Sequence, residues 1–190
     1  MTNHTVVAYD QELKELAGRI AEMGGLAEGL VTDAVTALVR GDTTLAQKVV
    51  ATDARLDRLQ HIVEEQAIVI IAKRQPMALD LRHIFVAMRL AGDLERVGDL
   101  AKSIAKRVIA MNGGVRLKSV LIGVEHLAEI ALEQLKAVLD AYAAQDSDAA
   151  IVVRDRDEQI DALYTSLFRE LLTYMMEDPR NITPCTHLLF

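Results

Sequence analysis

Apolar residues recur along most of the chain at alternating intervals of four and three positions. The first such row consists of Tyr9, Leu13, Leu16, Ile20, Met23, Ala27, Leu30 and Ala34. Residues at this spacing lie on one side of a helix and pack against neighbouring helices. Similar rows extend from Leu45 to Ile70 and from Ala87 to Met111. The pattern therefore predicts three long helices in the first part of the chain.

Helix-breaking residues separate these rows. The first helix is expected to end at Arg40-Gly41, and Asp42 can cap the N-terminus of the next helix. Pro76 ends the second helix, and the third is expected to run from near Asp80 to a stop at Asn112-Gly113-Gly114. Helices of about 30 residues are roughly 45 Å long. Joined by short connections, three of them predict an antiparallel three-helix bundle.

The pattern then starts again further along the chain. A shift of 104 residues (157 − 53 = 104) carries the pair Asp53/Asp57 onto the pair Asp157/Asp161. The same shift matches apolar positions: Val49 with Val153, Leu56 with Ile160 and Leu59 with Leu163. Such self-similarity indicates a duplicated unit, although two helical patterns can also align by chance.

Duplication predicts an all-α fold of tandem antiparallel three-helix bundles related by pseudo-symmetry. The first bundle is expected to span residues 1–112 and the second residues 113–190. The second is expected to be incomplete at the C-terminus, because Phe190 comes near the start of its third helix. The seam between its first two helices, which includes Ile160, Leu163, Leu167 and Leu171, would then lack its third partner. Exposed apolar surface promotes association, so we expect a dimer or higher homo-oligomer formed through the second half.

Four acidic residues are expected to lie at one level of the first bundle. Pro76 is midway between Asp57 and Glu95, and also midway between Asp53 and Asp99. Residues equally far from the turn of an antiparallel hairpin face each other. All four acids stand one position beside apolar core positions, so we expect them at the edge of the interface. Gly98 is expected to leave room for the partner backbone or for a hydrated metal ion.

These carboxylates need compensation. Two like charges 4 Å apart repel by about 4 kcal/mol at an effective dielectric constant near 20. Protons, basic side chains or a multivalent cation can offset this cost, and oxygen-rich sites suit Mg, Ca, Mn or Fe. From the residues alone, a metal site and a set of surface acids compensated by arginine are both open.

Three arginines follow one face of the third helix. Arg82, Arg89 and Arg96 are separated by steps of seven residues. They are either a stripe for an acidic partner or salt bridges to neighbouring helices, each contributing little to stability.

Composition limits the classes of function. Hydrophobic residues make up 51% of the 190 positions, so a sizeable core can form, and the net charge of −7 argues against binding a nucleic-acid backbone. The single cysteine, Cys185, excludes an internal disulfide. No signal peptide is recognisable, and the longest apolar run, Ala67 to Ala72, is too short to span a bilayer. We therefore expect a cytoplasmic protein. A di-iron carboxylate oxidoreductase is disfavoured, because no Glu has a His three residues later.

The stretch QPMALDLRHIFVAMRLAGDLERVGDLAKSIAKR, from Gln75 to Arg107, resembles the signature helix of the PhoU family, the phosphate-uptake regulators of bacteria. The motifs QP, DLR and ERxGD occur in the order that the family shows. The stretch DPRNITPCTHLLF, from Asp178 to Phe190, resembles the segment that leads into the second signature helix. With the duplication, the resemblance covers nearly the whole chain.

The resemblance implies metal clusters on paired E/DxxxD motifs in two three-helix bundles. By position, the first motif pair is Asp53/Asp57 with Glu95/Asp99, and the second keeps only Asp157/Asp161, because the remaining counterparts would lie beyond Phe190. The metal would be divalent or multinuclear: Fe, Mn, Mg or Zn.

The resemblance also implies a function. Family members are non-enzymatic cytoplasmic adaptors that negatively regulate the phosphate-starvation response. They couple the ATPase of the phosphate ABC transporter to its sensor histidine kinase, and are peripheral to the membrane at most. A metal-free helical module for protein–protein interaction is the alternative.

Overall fold

Helices provide all the regular structure in residues 2–112 and 117–189, which are the residues described by the computed structural model, with side chains from Val7 onward. In chain order the elements are α1 (Thr2–Arg40), α2 (Thr43–Arg74), α3 (Ala78–Met111), α4 (Lys118–Ala144), α5 (Ser147–Arg154), α6 (Asp157–Glu177), a 3-10 turn (Pro179–Asn181) and α7 (Ile182–Leu189). The predicted all-α class is confirmed.

The first three helices end close to their predicted limits. Asp42 caps α2, because its carboxylate accepts a hydrogen bond from the backbone N–H of Leu45 at 2.9 Å. Gln75, directly after α2, has a left-handed backbone with φ 50° and donates its N–H to the carbonyl of Ile71. Asn112 ends α3 in the same conformation, with φ 47°. Gly113 and Gly114, the rest of the predicted stop, lie outside the described residues.

Helices α1, α2 and α3 pack on one another around a continuous apolar core. Its largest fully buried side chains come from all three helices: Ile20, Met23, Val49, Leu56, Val63, Ile70, Ile84 and Val108. Each such side chain contributes about 1.5–3 kcal/mol on burial. The predicted three-helix bundle of the first half is therefore present, with α2 and α3 forming the hairpin around Pro76.

The second half is built on α4, which packs against α1. Helices α5 and α6 pack on α4, and α7 packs on α6 around a smaller buried cluster of Val120, Leu171 and Cys185. Asp146 caps α5 by accepting the backbone N–H of Ala149 at 2.9 Å, as its repeat counterpart Asp42 does in α2.

The repeat is not exact. The stretch that corresponds to the single helix α2 is interrupted between α5 and α6, where Asp155 and Arg156 separate the two helices. The interruption comes just before Asp157, the counterpart of Asp53. The predicted division between residues 112 and 113 stays a prediction, because it borders residues 113–116, which the structure does not describe.

The apolar row of α6 is better covered than the sequence suggested. Leu167 and Leu171 are buried, while Ile160 and Leu163 are partly buried. Leu167 lies directly against Gly123 of α4, and Leu171 packs in the cluster with Cys185 of α7. The contact with α4 agrees with the expected seam. The expectation that this seam lacks a third partner is wrong at Leu171, because α7 packs there. Across the described ranges, no helix combines the length and the apolar character that crossing a membrane requires.

Candidate functional site

Asp53 of α2 is the one charged residue that is buried in the described part of the chain, with 1% of its surface exposed. It lies between Val49 and Leu56 on the face of α2 that forms the core, because positions four and three apart share one side of a helix. The predicted position at the edge of the interface is therefore wrong for Asp53. Asp57 and Glu95 are partly buried, and Asp99 is exposed.

Lys102 of α3 supplies the positive charge next to Asp53. Its ammonium lies 2.5 Å from Oδ2 of Asp53 and 3.3 Å from Oδ1 of Asp99. This contact is an ion pair, and apart from Lys102 no donor among the described residues serves either carboxylate oxygen of Asp53. Contact with the Asp53 carboxylate, opposed by partial burial and assisted by Asp99, raises the pKa of Lys102.

The raised pKa of Glu95 indicates that the four acids lie close together. Its pKa is raised above the ordinary value, first by burial and then by the negative charges of Asp99, Asp57 and Asp53. The two acid pairs of α2 and α3 thus lie at one level of the hairpin, as their symmetric distances from Pro76 predict. We call Asp53, Asp57, Glu95 and Asp99 the acid cluster.

Gly98 does not leave open space beside this cluster. A Cβ atom at residue 98 would lie 2.5 Å from Cδ2 of Leu56 and 3.1 Å from Oδ1 of Asp53. Side chains of α2 already fill the region, so the expected clearance for a hydrated metal is wrong. Gly98 instead allows α2 and α3 to approach each other closely at the level of Asp53.

The acid cluster fits a divalent cation in its chemistry. All four side chains offer carboxylate oxygens, the ligands that Mg²⁺ and Mn²⁺ prefer, although Oδ2 of Asp53 already contacts the ammonium of Lys102. In the arrangement present, however, no three Asp, Glu, His or Cys side chains within residues 2–112 and 117–189 converge closely enough to hold an ion. Lys102 provides the compensating charge instead.

The second acid pair has no such surroundings. Asp157 and Asp161 are exposed in the first turns of α6. Among the described residues they belong to no group of three candidate ligands.

Arg82, Arg89 and Arg96 are all exposed, and within the described ranges none of them forms an ion pair. The interpretation of these residues as salt bridges to neighbouring helices is therefore wrong. Two exposed apolar residues, Phe85 and Leu100, share their face of α3, because steps of three and four residues return to the same side. We call the three arginines the basic stripe.

Lys102 is the residue of this site that the sequence pattern did not reveal. The available signal was its position three residues after Asp99, which places both side chains on one face of α3.

Comparison with known proteins gives this site a family context. The family model described as the PhoU domain matches residues 20–108 and again residues 124–190. The chain belongs to the PhoU family. The two matches begin 104 residues apart (124 − 20 = 104), which is the spacing of the internal repeat.

Curated family members are similar over almost the whole chain. The phosphate-specific transport system accessory protein PhoU homolog of Rhizobium meliloti is 62% identical over 98% of this chain and 79% of that protein. The homolog of Caulobacter vibrioides is 48% identical over 100% of this chain and 83% of that protein.

Solved PhoU structures have the same architecture. The crystal structure of PhoU from Pseudomonas aeruginosa superposes with a TM-score of 0.90 at 36% identity, covering 95% of this chain and 87% of that one. The phosphate transport system regulatory protein PhoU from Streptococcus pneumoniae gives a TM-score of 0.83 at 26% identity, with 95% and 88% covered. The arrangement of helical bundles is thus common to this chain and to solved members of the family.

Proposed function

We propose that this chain is a non-enzymatic cytoplasmic adaptor that restrains the phosphate-starvation response when phosphate is plentiful. It couples the ATPase of the phosphate transporter to the sensor histidine kinase. The observation that carries the proposal is the 62% identity, over 98% of the chain, to a protein named as an accessory protein of phosphate-specific transport. The Streptococcus pneumoniae relative is named as a regulatory protein of the same kind of system.

In this proposal the acid cluster holds a divalent or multinuclear metal of Fe, Mn, Mg or Zn. A cation held there would offset part of the charge of the four carboxylates and would join α2 to α3. Two observations support it: apart from Lys102, the buried carboxylate of Asp53 has no hydrogen-bond donor among the described residues, and burial together with the neighbouring acids raises the pKa of Glu95. Asp157 and Asp161 correspond to half of a second site and offer ligands from one helix only. Any ion there is held weakly.

The basic stripe is the proposed contact for the partner proteins. Arg82, Arg89 and Arg96 carry charges that no described acid neutralises, and Phe85 and Leu100 add apolar surface beside them. Such a mixed surface suits an acidic, partly apolar face of the transporter ATPase or of the kinase. In this proposal the adaptor works at the inner face of the membrane without insertion.

Complementation tests the regulatory role. The chain is expressed in a bacterium from which its own PhoU gene has been deleted, and a reporter of phosphate-starvation genes is measured in phosphate-rich medium. We expect the reporter to be repressed, and repression to weaken when the three arginines of the basic stripe are changed to Ser. Undiminished reporter activity, with the chain present at normal abundance, contradicts the proposal.

Elemental analysis tests the metal. Protein purified without chelator is compared with the double variant Glu95→Ala/Asp99→Ala, which removes the ligands from α3. The matched control is Glu125→Ala/Glu129→Ala, because these exposed acids of α4 have the same spacing. We expect metal content to fall only in the first variant. Equal content in all three proteins excludes the acid cluster as the metal site.

A metal-free helical interaction module is the second candidate. It is favoured by Lys102, which already neutralises Asp53 without a metal. A ligand that binds the folded state raises the melting temperature. An unchanged melting temperature in Mn²⁺, Fe²⁺ or Mg²⁺ at concentrations that would occupy a real site supports this candidate over the metal-binding one.

A further inference from the structure

We propose that Lys102 is the resident counter-ion of the acid cluster, and that its ammonium and a metal ion exclude each other at Asp53. The inference rests on the proposed metal-binding function and adds how that site is controlled. Metal enters by exchange with the ammonium, and the metal-free protein keeps its buried carboxylate neutralised.

The ammonium of Lys102 occupies the position that a metal ion bound to Asp53 would take. Its ammonium is 2.5 Å from Oδ2 of Asp53, while metal–carboxylate distances are about 2.0–2.6 Å. A cation bound to that oxygen would therefore stand where the ammonium stands. Two positive charges at this separation repel strongly in a partly buried site, so the two states cannot coexist.

The burial of Asp53 makes a compensating positive charge necessary. Its carboxylate is 1% exposed and, apart from Lys102, has no hydrogen-bond donor among the described residues. A buried carboxylate with no compensating group is very costly, so it stays ionised only with a cation beside it. Lys102 is the one basic side chain that forms an ion pair with Asp53 in the described part of the chain. The ionised carboxylate of Asp53 is therefore compensated by Lys102 or, when the ammonium has moved away, by a metal ion.

The side chain of Lys102 can also move to a solvent-exposed position. It is 26% exposed, and it already touches Asp99, which is 55% exposed, at 3.3 Å on the same helix. A four-carbon stem can swing an ammonium toward water while the stem stays packed. Asp99 can therefore keep the ammonium at the surface through their ion pair, or can itself become a ligand of the metal. Neither requires the helices to move.

Binding of Mn²⁺ to a matched pair of variants tests the exchange. Lys102→Gln removes the ammonium at Asp53, and Lys106→Gln removes the same charge one turn further along α3, where Lys106 is exposed. Free Mn²⁺ is measured by electron paramagnetic resonance during titration of each protein. We expect K102Q to bind Mn²⁺ at least about tenfold more tightly than K106Q. In chelator, the melting temperature of K102Q should be lower than that of K106Q, and addition of Mn²⁺ should remove this difference.

The outcomes separate the two proposals. Equal affinity in wild type, K102Q and K106Q overturns the exchange and leaves metal binding intact. Binding by K102Q alone supports the exchange and removes metal from the function of the wild-type chain. No binding by any of the three overturns both.

If K102Q fails to fold, the wild-type protein decides the question. The rate at which a lysine-specific acylating reagent modifies Lys102 is then measured with and without Mn²⁺, with Lys106 as the internal reference. A rise of several-fold at Lys102 supports the exchange, and an unchanged ratio overturns it.

Discussion

Residue 98 decides how closely α2 and α3 approach beside the acid cluster. Gly98→Ala places a methyl group against Leu56, which is fully buried, and against the carboxylate of Asp53. Overpacking of this kind costs about 1–3 kcal/mol, and the better helix propensity of Ala recovers roughly 1 kcal/mol at most. We expect the free energy of unfolding in chelator to fall by about 1–2 kcal/mol, measured by urea denaturation.

Gly92→Ala is the matched control. It lies on the same helix, and the nearest atom that its Cβ would meet is Nε2 of Gln60 at 4.0 Å. Only the propensity gain remains, so the free energy of unfolding should rise by about 0.5–1 kcal/mol. If both variants shift stability in the same direction, close packing at Gly98 is not the reason for the glycine.

The sequence predicted the level of the acids but not their depth. Symmetric distances from Pro76 are enough to bring Asp53 and Asp57 opposite Asp99 and Glu95. Whether Asp53 is at the edge or inside depends on a rotation of α2 by one residue, about 100°, which apolar spacing does not define. The reach of a flexible side chain such as Lys102 is set by tertiary packing, so its pairing with Asp53 required the structure.

At the scale of elements, one ion pair ties the N-terminal part of α1 to the end of α2. Arg74 donates from Nε and Nη2 to the two carboxylate oxygens of Glu12, at 2.8 and 2.9 Å. These hydrogen bonds lower the pKa of Glu12. A carboxyl whose pKa is lower in the folded state stabilises that state above its unfolded pKa, and the stabilisation is lost as the pH falls through the folded pKa.

Glu12→Gln should therefore lower the free energy of unfolding at neutral pH, and the difference from wild type should disappear in acid. Denaturation curves of both proteins across this pH range measure it. Glu22→Gln serves as the control, because Glu22 meets Arg55 through a single exposed contact at 2.8 Å. A difference between E12Q and wild type that persists in acid would show that the effect of Glu12 is not the ion pair.

Element boundaries followed from local chemistry in the first half and less so in the second. Asp42 and Pro76 act on their neighbours directly, which is why α1 and α2 were predictable. The interruption between α5 and α6 contains neither Gly nor Pro. There the side chain of Gln134 in α4 donates to the backbone carbonyl of Arg156 at 3.1 Å, and Arg156 lies 3.6 Å from Glu133. Contacts with another helix accompany this break, and a local pattern does not contain them.

At the scale of the whole molecule, self-association stays a prediction. The structure indicates a different surface of α6 for it than the one expected from the sequence. The exposed apolar residues of α6 form one row at steps of four: Tyr164, Phe168, Leu172 and Met176. We expect light scattering at micromolar concentration to show a dimer, and Phe168→Glu/Met176→Glu to give a monomer. Ile68→Glu, at an exposed apolar position of α2, should leave the dimer unchanged. A monomeric wild-type chain would contradict the prediction.

Cys185, the single cysteine of the chain, can be used as a probe of local opening in the second half. Cys185 is 0% exposed, beneath the contact of α7 with α4 and α6, and burial raises its pKa. A thiol reagent reacts after an opening of the structure exposes Cys185, because burial blocks access and disfavours the thiolate before that. The labelling rate of the unaltered protein therefore measures how often the region around α7 opens.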